Sequence, residues 1–309
     1  MKKVLYQIII ITILISLIVV GIKKERNTST IRTDKRNFSI NDTLSISKIE
    51  LINRNLENIT IERTKHNWIL NDSLVANQYS VNLLLKTIKE MRVKNPVARS
   101  ALNNIIKRMS IQNTKVTIYG DENELKTIFV GGETADQLGT FMMLEGAKEP
   151  YVMHIPGFNG YLSSRFNCKE ELWRDKKIFR NTNKIHYNLN YKSLPKSDLS
   201  LNKWVKIDAS NMKNTYCEQF LTQNLLDEVK TRQPFITFLS ELDGKQNYLY
   251  CYRKKPPNKD KYKMNKYDQE RFYIIKGNTI MLVQYQQFNN FISENNIQSF
   301  KPQDNVIKY

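Results

Sequence analysis

Alternation of apolar and polar positions predicts strands along much of the chain. Ser47-Lys-Ile-Glu-Leu-Ile and Asn58-Ile-Thr-Ile-Glu-Arg follow the two-residue period of half-buried strands. Trp68-Ile-Leu continues as a third strand, and Asn71-Asp72-Ser73 makes a turn. The period then lengthens, with Val81, Leu84, Leu85 and Ile88 on one face of a helix over 80–91. A second short helix is predicted over 98–109, after Pro96. Strands follow at 115–119, 126–130, 140–144 and 151–155, then a short helix over 157–166 packed through Phe158, Tyr161 and Leu162.

The second half repeats this course. Strands are predicted at 184–191, 199–201 and 204–207. Asn211 opens a helix with Tyr216, Phe220, Leu221, Leu225 and Val229 near one face, and a second helix is predicted at 235–242. Strands at 247–252, 271–275 and 279–284 lead to a closing helix at 287–294. GFNGYL and QFNNFI end the two halves and pair Phe158 with Phe288, Tyr161 with Phe291, and Leu162 with Ile292. Trp68 and Trp204 take equivalent places. A repeated layout of this kind reports shared packing rather than shared catalysis. The predicted fold class is α+β, with two tandem pseudo-repeat units, each an antiparallel sheet with packed helices. The units are expected at 45–180 and 181–309, after a linker at 27–44 and an N-terminal transmembrane helix within 1–26.

That helix is expected because residues 4–22 form an apolar run close to the roughly 20 residues a span requires. No cleavage motif follows it, so an uncleaved signal anchor is expected. The expected location is a bacterial inner membrane, single-pass, with the bulk of the chain periplasmic. The formal net charge of +18 favours anionic partners, although the excess is spread along the chain. An anchor that holds the bulk outside argues against nucleic acid as a partner. Three cysteines, Cys168, Cys217 and Cys251, are too few for a disulfide framework.

Several motifs resemble those of the domain-of-unknown-function family 4340 of bacterial envelopes. They are Trp68-Ile-Leu-Asn71, Ala76, Gly131-Gly132-Glu-Thr134 with Gly139-Thr140-Phe141, PYVMHIPGF, Arg165-Phe166, and LWRDKKIF at 172–179. The resemblance implies a membrane-tethered or exported scaffold, an accessory to a transport, secretion or gliding-type complex, with an ABC transporter among the expected associations. It assigns no chemistry.

Two stretches are candidates for contact with a ligand or partner. In GGETADQLGTF, Gly131, Gly132 and Gly139 allow close backbone approach, and Thr134, Asp136 and Thr140 add polar groups. The spacing matches no phosphate-binding loop. The second stretch, 253–266, is rich in cations and contains Arg253, Lys254, Lys255, Lys259, Lys261 and Lys263. It is expected to project as a loop able to grip anionic lipid or glycan. No paired histidines at metal-ligand spacing and no nucleophile elbow occur, so no enzyme activity, metal or cofactor is expected. A hydrolase remains an alternative if Thr134, Thr140 and His154 meet in one pocket.

Overall fold

The computed structural model describes residues 36–121, 123–180, 182, 184–189, 204–242, 245–256 and 266–302. The expected anchor at 4–22 lies outside these residues, as does the strand expected at 199–201. Among the described residues no helix is long and apolar enough to cross a membrane.

The chain is α+β and divides into two compact units, 1–173 and 174–309. The first carries a nine-stranded antiparallel sheet in the order β4-β3-β2-β1-β6-β7-β8-β9-β5. Its strands are β1 Ile46–Asn53, β2 Asn58–Arg63, β3 Trp68–Leu70, β4 Leu74–Val75, β5 Arg92–Pro96, β6 Thr114–Gly120, β7 Asn123–Glu133, β8 Thr140–Leu144 and β9 Tyr151–His154. Helix α1, Gln78–Glu90, buries Val81, Leu84 and Ile88 against the inner face of the sheet. Asn77 caps it by accepting from the amides of Tyr79 and Ser80. Helix α2, Arg99–Ile111, packs Met109 against β7 on the outer face. A 3-10 turn, Ser163–Phe166, and the short helix α3, Glu170–Trp173, close the unit.

The second unit holds a seven-stranded antiparallel sheet in the order β11-β10-β13-β14-β15-β16-β12. Its strands are β10 Lys184–Leu189, β11 Val205–Ile207, β12 Gln219–Phe220, β13 Ile236–Leu242, β14 Lys245–Arg253, β15 Arg271–Lys276 and β16 Thr279–Gln284. Without the β3–β4 hairpin, the first sheet reads β2-β1-β6-β7-β8-β9-β5. Numbered by chain order, the two sheets then have the same topology, strand for strand. The connections match as well. Helix α4, Gln223–Lys230, lies between β12 and β13 as α2 lies between β5 and β6. A 3-10 turn and helix α5, Asn289–Glu294, follow β16 as the closing elements follow β9.

The structure corrects several expectations. Residues 235–242 contain no helix; Ile236–Leu242 is β13, a central strand. The helix expected from Asn211 is instead a 3-10 turn at Ala209–Met212, the edge strand β12, and α4. The helix expected over 157–166 shrinks to the 3-10 turn Ser163–Phe166. The expected side-chain equivalences fail at three pairs: Phe158 and Tyr161 are 38% and 37% exposed, whereas Phe288 and Phe291 are buried. Trp68 is buried and Trp204 exposed. The two units share a topology without sharing these core contacts.

The linker expected up to residue 44 ends earlier. Phe38 is buried in the first core, the Ile40 amide donates to the Ile88 carbonyl, and Lys126 donates to the carbonyl of Ser39 at 2.9 Å. The LWRDKKIF motif joins the units, with Trp173 in the first core and Ile178 and Phe179 in the second. Backbone bonds from Ile178 to Thr215 and from Cys217 to Lys176 place the start of the second unit ahead of residue 181.

Candidate functional site

Gly131 and Gly132 belong to β7 rather than to a loop. Val130 pairs with Met142 and Glu133 with Thr140, so the two glycines oppose Phe141 alone in a bulge. A Cβ on Gly131 would lie 2.8 Å from Met109 Cγ and 3.1 Å from the Phe141 carbonyl. This glycine lets α2 sit close to the sheet. A Cβ on Gly132 would meet only Arg108, at 3.6 Å.

The rest of the stretch is a self-contained turn. Thr134 and Gly139 are tied by a backbone bond of 2.9 Å, and Gln137 takes a φ of 57°. Asp136 accepts from the Thr134 hydroxyl at 2.5 Å and from the Leu138 amide at 3.0 Å. Those bonds, the Thr134 hydroxyl first, hold its carboxyl below the ordinary range. Thr140 is buried, and its hydroxyl accepts from the Leu162 amide at 2.6 Å, pinning the 156–162 segment to β8. Thr140 pairs with Met153, so His154 points to the opposite face of the sheet. Thr134, Thr140 and His154 do not converge on one pocket.

The basic stretch divides in two. Arg253 ends β14 and is turned inward, donating to Tyr285 Oη at 2.8 Å, to the Phe300 carbonyl at 2.6 Å and to the Ser299 carbonyl at 2.7 Å. Its guanidinium lies 3.8 Å from the Phe235 ring centroid. Burial pushes the Tyr285 phenol up to about 12, against the pull of Arg253. Lys254 forms a 2.6 Å ion pair with the buried Asp268. Arg253 and Lys254 are thus clamps of the second core. Lys255 is exposed, and Lys259, Lys261 and Lys263 lie outside the described residues.

Two further surfaces lie outside the expectations drawn from the sequence. One is an open groove of about 580 Å³ in the first unit. Four separate segments line it: the β1–β2 turn with Asn55, the end of α2 with Gln112, Gly131 and Gly132 of β7, and the segment from Tyr161 to Lys169. Cys168 also lines it; burial pushes its thiol up, so it is a weak nucleophile. The other surface is the outer face of the second sheet. Trp204, Tyr248 and Tyr250 are 39%, 41% and 38% exposed there. Ring centroids lie 6.2 Å apart for Trp204–Tyr248 and 6.3 Å for Tyr248–Tyr250. Leu239 pairs with Tyr248, and Thr237 with Tyr250, so these side chains share that face. Period-two spacing of Tyr248 and Tyr250 is the signal that could have found it.

The family model described as "Domain of unknown function (DUF4340)" matches residues 68–220. Over those residues the chain belongs to the DUF4340 family. The DUF4340 match spans most of the first unit and runs into the second as far as β12. It therefore takes in Trp68, the glycine bulge and the junction motif, and it leaves out β13 to β16. No curated protein and no solved structure matches the chain.

Proposed function

We propose that this DUF4340 protein is a non-enzymatic envelope scaffold that holds a protein partner of a transport, secretion or gliding-type complex. Residues 4–22 anchor it as a single span in a bacterial inner membrane, with both units on the periplasmic side. The observation that supports a docking role is the aromatic outer face of the second sheet. Helix α4 covers β14 to β16 there, packing Leu226 and Val229 on Tyr252, Tyr273, Ile275 and Ile280. Trp204, Tyr248, Tyr250 and Leu239 lie beside that cover. Tyrosine and tryptophan are the residues that most often anchor protein interfaces, because each buries a large rigid surface with a polar tip. The partner would present an apolar patch with an acidic rim, matching Lys206 and the +18 net charge.

Affinity purification of the full-length chain from detergent-solubilised membranes tests this. The wild type is expected to bring down a reproducible membrane or envelope complex, and the Trp204→Ser/Tyr248→Ser/Tyr250→Ser variant to lose it while keeping the wild-type circular dichroism spectrum. A complex retained in full by the triple variant would overturn the docking face.

A further inference from the structure

The groove in the first unit takes no part in the docking role. We propose that it binds a neutral oligosaccharide, with Tyr161 as the stacking ring and Gln112, Asn55, Ser163 and Ser164 as hydrogen-bonding groups.

Its walls are fixed before any ligand arrives. Asn53 Oδ1 accepts from the amides of Asn55 and Glu57, at 2.9 and 3.1 Å, which sets the β1–β2 turn. Asn113 Nδ2 donates to the Met109 carbonyl at 2.5 Å and locks the exit from α2. The Asn167 carboxamide oxygen accepts from the Lys169 amide at 2.8 Å, and its backbone carbonyl accepts from Trp173 Nε1 at 2.7 Å. Thr140 holds the Leu162 amide, next in the chain to Tyr161. A pre-formed cleft of about 580 Å³ lies in the range typical of ligand sites.

The lining chooses the ligand class. Its charged side chains are Arg54, Lys169, Glu57 and Glu133, two of each sign, so it offers no net attraction to phosphate or sulfate. The side chains of Asn55, Gln112, Ser163 and Ser164 and the Tyr161 hydroxyl make no hydrogen bond with the described residues, leaving donors and acceptors of both kinds for sugar hydroxyls. Ile111, 68% exposed, and the Tyr161 ring add apolar surface for the C–H faces of a sugar ring.

Isothermal titration tests this on the full-length chain in a detergent without a sugar headgroup. The titrants are the trimer of N-acetylglucosamine, cellotriose and maltotriose, with inorganic phosphate as the anionic comparison. At least one neutral trisaccharide is expected to bind in the micromolar to millimolar range, with little dependence on salt. Tyr161→Ala and Gln112→Ala are each expected to weaken it by about tenfold, as the loss of one stacking or polar contact predicts. Both residues are exposed, so circular dichroism and melting should match the wild type. The Tyr248→Ser variant should bind sugar normally, which separates this site from the docking face. Failure of all three sugars at millimolar concentration would overturn the proposal. So would binding indifferent to Tyr161→Ala, or phosphate binding in place of sugar.

Discussion

The two sheets run the same topology yet finish their outer faces differently. On the first, β2, β1 and β6 present Glu62, Lys48, Glu50, Tyr119 and Lys115. Several of these satisfy one another: Lys48 pairs with Glu50 at 2.8 Å, Tyr119 donates to Glu50 at 2.9 Å, and Lys48 lies 4.3 Å from the Tyr119 ring centroid. On the second, β10, β13 and β14 present His186, Leu239, Tyr248 and Tyr250, with Trp204 alongside. A charged, self-paired face is finished in water. A run of exposed rings has apolar area still to bury. One scaffold thus supplies a solvated face and a sticky one, and the difference lies in side chains that the fold does not require.

The largest stability difference between the units is expected at the Arg253 clamp of the second. Arg253→Ala removes three hydrogen bonds from a half-buried cation and leaves the carbonyls of Ser299 and Phe300 without their donor. Denaturant unfolding is expected to show a loss of about 3 kcal/mol confined to the transition of the second unit. The first unit has its own close approach at the bulge. Gly131→Ala should cost roughly 1–3 kcal/mol in the first transition, because Met109 and the Phe141 carbonyl leave no room for a methyl group. Gly132→Ala should stay within about 0.5 kcal/mol, its new Cβ meeting only Arg108. Equal effects at the two glycines would remove the packing role given to Gly131.

Acid should act on the second unit through Asp268. Burial alone would raise the Asp268 carboxyl, but the bond from Lys254 and the amides of Glu270 and Arg271 outweigh it and hold the group below its ordinary 3.8. A lowered folded value contributes stability above the unfolded value, and this is lost as pH falls through the folded one. The second transition should therefore weaken as pH drops below about 4, and Asp268→Asn should remove that part of the dependence. A small stability effect is also expected on the aromatic face. Tyr248→Ser should change stability by less than about 1 kcal/mol, since it removes a half-exposed ring. Its consequence belongs to binding.

The strands of the first unit are legible in the sequence because one face is wet and the other dry, so Ile49, Leu51, Ile59 and Ile61 alternate with polar neighbours. Strand β13 reads as a helix because Phe235, Ile236, Phe238, Leu239 and Leu242 also fall at helical spacing. Its pairing with β10, from well back in the chain, decides the matter and leaves no local mark. The repeat is legible as an order of elements. Its side-chain equivalences are not, because Phe158 lies over the Arg165 guanidinium at 4.5 Å whereas Phe288 packs among Phe238, Phe272 and Phe300. The paired glycines mark a real feature, the bulge beside the groove. The groove as a whole is not legible, since its walls come from four segments spread from Asn53 to Lys169. Arg253 and Lys254 look like members of a charged loop because sequence alone does not show the carboxylate and carbonyls that receive them.

Photo-crosslinking in cells tests the docking face most directly. A reactive residue is placed at position 248 and, as the control, at position 62 on the corresponding face of the first unit. A discrete protein adduct is predicted from position 248 and none from position 62. Adducts of equal yield from both, or from position 62 alone, would contradict a docking role for the aromatic face.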